Sequence, residues 1–286
     1  MYAQFDYVAP ASMDALFDHL ASCGKPLLYA GGTDILVELR SRKIAPELLI
    51  DIKRIPRLAQ VKQSPDELRV GGAVRFADLS ESALIKQHCP ALAQASGRVG
   101  CNQTRLKGTI GGNIQTASPA GDGLNALWAF DTSLLLASRE GERLVPLQNF
   151  VVGPRQTRLR QGELIAEIRI PKRSWDYQAF FKVGRRNALA ISVVSGVVAL
   201  CSDASGAISD VRVSLGSVAP TPLRITRTEE LLRGRRLTPE LIEQAAALAR
   251  ESVRPISDIR AGAEYRAYMA YELVRQHLTS FWEGSV

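Results

Sequence analysis

The chain has 286 residues, a length that fits one large domain or two to three small ones. Hydrophobic residues make up 46% and charged residues 23%, so the core can be large enough to need no disulfide or metal support. The net charge of +7 permits an anionic ligand or partner, but dispersed arginines and only 6% aromatic residues argue against a nucleic-acid groove.

The N-terminal part of the sequence alternates strand and helix patterns. Residues 14–20 predict a short helix, and "KPLLYAGG" predicts a buried strand that ends in a glycine pair. The following "TDILVELRSRK" has helical spacing of its aliphatic residues, with Thr33 or Asp34 as the cap. Further strands are predicted at 48–53 and from residue 67 onward, so this part of the chain has an α/β pattern.

The middle of the chain continues with a helix predicted over residues 82–99. A stretch of small residues follows, "TIGGNIQTASPAGD" (109–122), which has too few large side chains to build a core. "GLNALWAFDTSLLLAS" then predicts a helix and a strand, and residues 163–172 predict another strand, stopped by Pro171.

The sequence changes character after a boundary that we place at Lys172–Asp176. Residues 190–220 predict a hairpin of two long strands around a Ser-Gly turn. Helices are predicted near 227–233, 239–252 and 262–282, and together these elements indicate a separate α+β module. The last helix carries a stripe at four-residue spacing that indicates core packing rather than a ligand set: Tyr265, Met269, Leu273, His277 and Phe281.

Metal-binding and targeting signals are weak. The four cysteines lack CxxC spacing, the three histidines are isolated, and the adjacent His88 and Cys89 are interpreted as incidental, so we expect no metal site in this chain. The N-terminus lacks the pattern of a signal peptide, and no run approaches the ~18–20 apolar residues of a membrane span. We therefore expect a cytoplasmic protein without a membrane span.

Two similar glycine motifs stand out, "LYAGGTDIL" (28–36) and the opening of "TIGGNIQTASPAGD". Each leads from an extended segment through Gly-Gly into a helix, an arrangement that exposes backbone N–H groups and suits phosphate. Each could also be only a tight turn. Two such loops would suit the two phosphates of a diphosphate, so the pair favours a nucleotide over a simple turn.

Other phosphate-binding and catalytic motifs are absent from the sequence. There is no GxxxxGK(S/T) sequence and no GxGxxG after the first strand, which argues against a P-loop and a dinucleotide-binding Rossmann fold. No histidine lies in or near either glycine motif to activate Thr116 or Ser118 as a nucleophile, and we expect no catalytic side chain. These absences point to a cofactor that brings its own chemistry.

The two glycine motifs resemble those of the FAD-binding medium subunits of molybdenum hydroxylases, the xanthine dehydrogenase and carbon monoxide dehydrogenase group. The likeness covers nearly the whole chain. Four later segments match the family in order: "GELIAEIRIP" (162–171), "FKVGRRNALAISVVSG" (181–196), "GSVAPTPLR" (216–224) and "RPISDIRAGAEYR" (254–266).

The resemblance implies an α+β fold whose N-terminal half is α/β. A two-subdomain FAD-binding fold of the PCMH type, residues 1–173, would hold the FAD between subdomains of about 1–55 and 56–173. A C-terminal flavoprotein domain, residues 174–286, would contain a three-stranded sheet and a helix bundle.

The resemblance also assigns roles to individual residues. The first loop would wrap the FAD diphosphate, the second would form another backbone cradle, and Thr116 and Ser118 would reach phosphate or ribitol oxygens. Asp122 would bind the adenosine ribose, with a plain helix N-cap as the alternative. Ile165 would give a backbone contact near the adenine, and Lys182 would lie close to the flavin, with a surface lysine as the alternative. The implied FAD-binding residues are Leu28, Tyr29, Ala30, Gly31, Gly32, Thr33, Asp34, Ile35, Thr109, Ile110, Gly111, Gly112, Asn113, Thr116, Ser118, Asp122, Ile165 and Lys182. Asp34 is expected to cap its helix rather than to touch phosphate.

The chain departs from the family pattern in three places. Gly123 and Asn125 replace a common leucine and proline and are expected to loosen the helix start at the ribose site. Residues 187–192 hold no tyrosine like the one that carbon monoxide dehydrogenase flavoproteins tend to carry over the flavin, which favours the xanthine dehydrogenase side. No cysteine-rich insertion is present, so no 4Fe–4S cluster is expected.

By this resemblance the chain is an electron-transferring flavoprotein subunit with non-covalent FAD. A molybdopterin-binding large subunit and a small subunit with 2Fe–2S clusters would be its partners, in a dimer of heterotrimers, with NAD⁺ or another molecule as electron acceptor. The alternatives are a self-contained FAD-dependent oxidase of the same fold and a non-enzymatic nucleotide-binding module. The sequence does not choose among purine, N-heterocycle, aldehyde and acyl-CoA substrates.

Overall fold

The structure is a computed structural model that describes residues 4–284. Its first layer is a three-stranded parallel sheet in the order β1–β3–β2, which matches the predicted α/β pattern. Ser12 accepts a hydrogen bond from the Ala15 N–H at 3.2 Å and so caps the first helix. The elements are β1 (Asp6–Val8), α1 (Met13–Ser22), β2 (Pro26–Tyr29), α2 (Ile35–Arg40) and β3 (Leu48–Asp51).

The second layer is a five-stranded antiparallel sheet, β4–β5–β10–β6–β7, with helices packed against it. The helix predicted over 82–99 is two helices, because Pro90 has no N–H to continue the first one and instead begins the second. After a 3₁₀ helix at Pro56–Ala59, the elements are β4 (Val61–Gln63), β5 (Glu67–Gly71), α3 (Phe76–Glu81), α4 (Ala83–His88), α5 (Pro90–Gly97), α6 (Asn102–Arg105), α7 (Ile110–Thr116), α8 (Asp122–Trp128), β6 (Ser133–Ser138), β7 (Gly141–Pro146), α9 (Leu147–Phe150), β8 (Val151–Gly153), β9 (Gln156–Thr157) and β10 (Leu164–Pro171).

The C-terminal part is an antiparallel sheet covered by helices. The resemblance implied three strands, and the structure has four, because the two-residue β14 pairs with β13 at Ser214 and Leu215. The predicted hairpin corresponds to β12 and β13. The elements are β11 (Tyr177–Val183), β12 (Val194–Ser202), β13 (Ile208–Gly216), β14 (Leu223–Arg224), α10 (Thr226–Leu232), α11 (Pro239–Ser252) and α12 (Ala263–Gly284).

The predicted stripe on α12 is only partly in the core. Leu273 is buried, but Tyr265 is 49% exposed. His277 stacks on Phe181 with ring centroids 4.8 Å apart and shares a 2.7 Å hydrogen bond between its Nδ1 and the Tyr177 hydroxyl. Burial lowers the pKa of His277 to about 4, so the ring is neutral and packs as predicted.

No helix within residues 4–284 combines the length and the apolar character that crossing a bilayer requires.

Helix α8 connects the two halves of the molecule through Asn125. This residue is fully buried; its Nδ2 donates to the Ser195 Oγ at 3.0 Å, and its carbonyl accepts from the Ser214 Oγ at 3.2 Å. The Asn125 N–H donates to Gly121 at 2.9 Å, as in a regular helix. The expectation that Asn125 loosens the start of this helix is therefore wrong, because its side chain anchors the helix to β12.

Candidate functional site

The first glycine loop leaves β2 and enters α2. Leu28 and Tyr29 belong to the strand, Ile35 begins the helix, and residues 30–34 form the turn between them. Gly32 has a φ of +73°, in the region that favours glycine, and the Tyr29 ring occupies the place where a Gly32 side chain would lie. The sequence therefore uses glycine here for both its backbone angle and its lack of a side chain.

The N–H groups of this loop have no hydrogen-bond acceptor within the described chain. Among residues 4–284, no backbone or side-chain acceptor pairs with the N–H groups of Gly31, Gly32, Thr33 and Asp34, and the Thr33 hydroxyl also lacks a partner. Consecutive free N–H groups in a turn form an anion-binding concavity. The first loop thus has the donors that the sequence predicted.

The second loop does not offer the free N–H groups that the sequence predicted. The Ile110 N–H donates to Val74 and the Gly111 N–H donates to Gly72, each at 3.0 Å. Thr109 is the N-cap of α7, where its Oγ1 accepts from the Gly112 N–H at 3.2 Å and its carbonyl accepts from the Asn113 N–H at 3.0 Å. The expectation that this loop offers free N–H groups is wrong, because its donors are used to join α7 to the turn after β5.

The second loop uses glycine for close packing of backbone on backbone. A methyl group on Gly111 would lie 2.4 Å from the Gly72 carbonyl oxygen, and one on Gly72 would lie 2.1 Å from the Ile165 carbonyl oxygen. The Ile165 backbone therefore lies against Gly72, and Gly72 in turn lies against Gly111 of the second loop. Gly72 was missed in the sequence, although the "VGGAV" that follows a predicted strand was the signal that could have identified it.

The two loops meet, as the sequence predicted. A methyl group on Gly31 would lie 2.3 Å from the Lys107 carbonyl oxygen, just before the second loop. The Thr116 hydroxyl donates to the Asp34 carboxylate at 2.9 Å and joins the two loops. Asp34 occupies the N-cap position of α2 but makes no side-chain cap bond, so the expected capping role is wrong: its carboxylate binds Thr116 instead.

The turn after the second loop is shaped by its own polar side chains. The Ser118 Oγ accepts from the Ala120 N–H at 3.3 Å, and the Asn113 Oδ1 accepts from the Leu124 N–H at 2.9 Å. Asn113 thereby satisfies a donor in the first turn of α8, whose first residue is Asp122. The turn that leads into α8 is thus fixed by the side chains of Ser118 and Asn113.

Asp122 and Lys182 form a buried ion pair. The Lys182 Nζ lies 2.6 Å from the Asp122 Oδ2 and 3.0 Å from the Arg98 carbonyl oxygen, and the Ser192 Oγ donates to the Asp122 Oδ1 at 2.6 Å. Burial raises the pKa of the Asp122 carboxyl, while Lys182 favours its ionised form. The surface-lysine alternative for Lys182 is wrong, because its side chain is 9% exposed, and the N-cap of α8 is Gly121 rather than Asp122.

Beside this ion pair lies a cavity of about 640 Å³ between residues 97–105 and residues 182–190. Arg98, Arg105 and Arg186 line it together with Lys182. Within the described part of the chain, no carboxylate lies within 4 Å of these three guanidinium groups. The cavity is therefore positively charged and suits an anionic group. Arg98 and Arg105 were missed in the sequence, and Arg186 was noticed only within the basic stretch "VGRRN" (183–187), without a role in a site.

Cysteine and histidine do not assemble into a second site. Burial raises the pKa of the Cys89 thiol to about 12, and the neighbouring His88 shares a 3.1 Å hydrogen bond with Gln63. All four cysteines are free, and residues 4–284 contain no group of three or more His, Cys, Asp or Glu side chains placed to hold a metal ion.

Comparison with known proteins adds the family. Residues 3–173 match the family described as the FAD binding domain in molybdopterin dehydrogenase. The chain belongs to this family. Residues 179–281 match the CO dehydrogenase flavoprotein C-terminal domain. The chain is thus a member of the FAD-binding medium subunits of molybdenum hydroxylases, which are oxidoreductases, as the sequence motifs predicted.

Individual relatives match over nearly the full chain. The sequence is 32% identical to the carbon monoxide dehydrogenase medium chain of Hydrogenophaga pseudoflava, over 98% of this chain and 97% of that protein. It is 31% identical to the nicotinate dehydrogenase FAD-subunit of Eubacterium barkeri, over 92% and 90%. The xanthine dehydrogenase FAD-binding subunit of Escherichia coli O157:H7 is 28% identical over 96% and 95%, so overall identity does not favour the xanthine dehydrogenase side.

Solved structures share the fold. The chain matches a structure of carbon monoxide dehydrogenase from Hydrogenophaga pseudoflava with a TM-score of 0.91 and 31% identity, over 99% of both chains. It matches quinoline 2-oxidoreductase from Pseudomonas putida 86 with a TM-score of 0.93 and 25% identity, also over 99% of both chains. The α+β architecture, with an FAD-binding domain followed by a flavoprotein C-terminal domain, is confirmed.

The residues present fit the cofactor that the family description names. FAD has a central diphosphate, and the free N–H groups of residues 31–34 offer it donors. The glycines at 31 and 32 carry no side chain that would cover these donors. One short helix away from the second loop, the arginine-lined cavity offers positive charge and space for another part of the cofactor.

Proposed function

We propose that this chain carries non-covalent FAD as the medium subunit of a molybdenum hydroxylase. In this proposal it receives electrons from the 2Fe–2S clusters of a small partner subunit and delivers them to NAD⁺ or another acceptor. A molybdopterin-binding large subunit would complete a heterotrimer, which dimerises in the cytoplasm. The relatives named as medium chains or FAD-subunits of dehydrogenases support this assignment.

One observation carries the proposal: the row of free N–H groups at residues 31–34, with the unpartnered Thr33 hydroxyl. We assign the FAD diphosphate to this row, because a buried anion is stabilised by several donors fixed in one concavity. The second loop then serves as a wall. Its small residues allow the cofactor to approach, while its own N–H groups keep the helix in place.

The cavity beside Lys182 is the proposed place of the flavin end. Bound FAD supplies the redox chemistry, taking up electrons singly and releasing them as a pair. Lys182 was expected to lie close to the flavin, where a cation would stabilise negative charge on the ring, but its ammonium is already paired with Asp122. Arg98, Arg105 and Arg186, which have no carboxylate partner among the described residues, are the better candidates for that role.

The proposed contact between Asp122 and a ribose hydroxyl requires that a carboxylate oxygen of Asp122 accept an additional hydrogen bond. Lys182 and Ser192 each bind one of its carboxylate oxygens. A carboxylate oxygen can accept more than one hydrogen bond, so a ribose hydroxyl would share an oxygen with one of them. Asp122 is therefore proposed first as the positioning residue for Lys182 and second as a ligand of the cofactor.

The first test measures FAD content. Purified chain should contain one FAD per polypeptide, released intact by denaturation and quantified by its visible spectrum. Gly31→Ala should weaken FAD binding at least tenfold, because its methyl group would collide with the Lys107 carbonyl oxygen. Gly24→Ala is the matched control, since its methyl group meets only Glu47 at an ordinary 3.6 Å. Wild-type protein that binds no FAD would contradict the proposal.

A second test identifies the acceptor without knowledge of the substrate. The complete complex is reduced anaerobically with dithionite, freed of excess reductant and mixed with NAD⁺. Formation of NADH together with return of the oxidised flavin spectrum would support NAD⁺ as acceptor. Reoxidation by oxygen or a dye alone, with no NADH formed, would exclude NAD⁺.

A further inference from the structure

A series of buried hydrogen bonds connects helix α12 to the wall of the charged cavity. Its outer end is Arg266, which lies in the first turn of α12 and is 3% exposed. One terminal nitrogen of its guanidinium donates to the Asp258 carboxylate at 2.7 Å. The other donates to the carbonyl oxygens of Val193 and Ser217, at 2.7 and 3.1 Å. Because a guanidinium is costly to bury without partners, these bonds fix the position of the side chain.

Ser217, in the middle of this series, has a strained backbone. Its φ is +65°, in the region that favours glycine, and the residue is buried. Its N–H donates to the Pro119 carbonyl at 2.9 Å, its Oγ donates to the Ser192 carbonyl at 3.0 Å, and its own carbonyl accepts from Arg266. A residue other than glycine keeps such a conformation only where its surroundings determine it, and residues of this kind concentrate at functional sites.

The inner end of the series is the buried ion pair. The Ser192 Oγ donates to one carboxylate oxygen of Asp122 at 2.6 Å, and the other oxygen binds Lys182, which lines the charged cavity. The carbonyl of Ser192 accepts from Ser217, and the carbonyl of the next residue accepts from Arg266. The backbone that carries the Ser192 hydroxyl is therefore held by both of these residues, although Arg266 itself does not line the cavity.

A second buried arginine offers a comparison, because its bonds do not lead to the cavity. Arg212 lies in β13, is 9% exposed, and pairs with the carboxylates of Asp210 and Asp131 at 2.5 and 3.3 Å. Within the described part of the chain, its Nε has no hydrogen-bond partner, and the same is true of the Nε of Arg266. The two arginines thus match in burial and in pairing with carboxylates and differ in what they hold.

We propose that Arg266 is a positioning residue of the cofactor site. Through Ser217 and Ser192 it sets the place of the Asp122 carboxylate, and with it the place of Lys182 at the flavin end. This inference rests on the proposed function for the identity of the ligand as FAD. The hydrogen bonds from Arg266 to Asp122 carry the assignment of the role.

The test titrates the FAD-free full chain with FAD and measures the Kd by flavin fluorescence. Arg266→Met and Arg212→Met should both lower stability in urea, because each leaves buried carbonyl or carboxylate groups without their arginine. Only Arg266→Met should raise the Kd for FAD, by at least fivefold, and change the visible circular dichroism of bound FAD. Arg212→Met should stay within twofold of the wild type, with an unchanged spectrum.

A double-mutant cycle tests whether Arg266 acts through Ser192. Ser192→Ala removes the hydroxyl that binds Asp122. In that background, Arg266→Met should raise the Kd for FAD by less than twofold, because the connection is already broken. A further fivefold loss in that background overturns the proposal. So does a Kd of the single variant Arg266→Met within twofold of the wild type, or an equal loss of affinity in Arg212→Met.

Ser217→Gly keeps the proposal testable if Arg266→Met fails to fold. Glycine adopts a φ of +65° without strain, and the change removes the Oγ bond to the Ser192 carbonyl. The Kd for FAD should rise at least threefold. A Kd within twofold of the wild type overturns the proposal.

Amide exchange in the FAD-free chain separates this inference from the proposed function. The Val193 N–H donates to the Val183 carbonyl at 2.7 Å, in the segment that Arg266 holds. Arg266→Met should raise the exchange rate of this amide at least tenfold above its rate in Arg212→Met. Equal rates overturn the inference whether or not FAD binds. Absence of FAD binding by the wild-type chain contradicts the proposed function, and the exchange rates still test the link from Arg266.

Discussion

The two glycine loops of this protein have similar sequences and different hydrogen bonding. In the first loop the N–H groups of residues 31–34 have no acceptor among residues 4–284, whereas in the second the N–H groups of residues 110–113 are all paired. Both loops need glycine, but for the second the reason is packing: Gly111 lies against the Gly72 carbonyl. A Gly-Gly turn before a helix therefore does not by itself identify an anion site.

The structural cause of the difference lies in the neighbouring strand. The carbonyls of Gly72 and Val74, in the turn after β5, point at α7 and accept its first two free N–H groups. The first loop packs Gly31 against the Lys107–Gly108 backbone. No carbonyl of that segment accepts a hydrogen bond from the N–H groups of residues 31–34. We infer that the first loop binds the ligand and that the second holds the site together. The predictions below test this division.

The largest expected effect is at Asp122, where the second loop region ends. Asp122→Ala should lower the free energy of unfolding by about 3 kcal/mol, because it leaves the buried Lys182 ammonium without its carboxylate partner. Urea denaturation of the FAD-free chain measures this change in the free energy of unfolding. The added substitution Lys182→Met should recover at least about 1 kcal/mol. If Asp122→Ala changed FAD affinity alone and left stability intact, this region would be a ligand site and not a structural one.

An intermediate effect is expected at Gly111. Gly111→Ala should lower the free energy of unfolding by about 2 kcal/mol, since the new methyl group overlaps the Gly72 carbonyl oxygen. Gly112→Ala is the comparison, because its methyl group meets only the Thr109 Oγ1, at 3.0 Å, and alanine favours the helix. Differential scanning calorimetry should rank the two in that order. Equal stability of both variants would argue against the packing role.

The smallest expected effects are at the two threonines beside the glycine pairs. Thr33 follows the first pair, and Thr109 lies shortly before the second. Thr109→Val should cost about 1 kcal/mol of stability in the FAD-free chain, because α7 loses its cap. Thr33→Val should leave that stability within about 0.5 kcal/mol of wild type, because the Thr33 hydroxyl has no partner in the described chain. It should instead weaken FAD binding, measured by fluorescence titration. If Thr33→Val lost stability and Thr109→Val lost only FAD affinity, the roles assigned to the two loops would be reversed.

Much of the fold could be predicted from the sequence, and the reasons are local. The strand before Gly31, the hairpin of β12 and β13 and the helix after Pro239 follow from hydrophobic periodicity and turn residues. The meeting of the two loops followed from the pairing of their motifs. Strand β14 was missed because two residues carry no periodic signal, and the break before Pro90 was missed although proline is its direct cause.

The site was less predictable than the fold, because it depends on contacts between distant residues. Hydrogen bonding between Gly111 and Gly72, the Asp34–Thr116 contact and the burial of Lys182 against Asp122 join residues 39 to 82 positions apart only through the tertiary structure. The charged cavity is formed in the same way, from Arg98 and Arg105 on one segment and Arg186 on another. The composition counts these arginines, but it does not show that their side chains line one cavity.

Hydrogen exchange with and without FAD tests the division between the loops most directly. Backbone amides are followed residue by residue in the FAD-free chain and after FAD is added. We predict that residues 31–34 exchange rapidly without FAD and become protected with it, while residues 110–113 are protected in both states. Rapid exchange at 110–113 in the FAD-free chain, with protection there on FAD addition and no change at 31–34, would contradict the account.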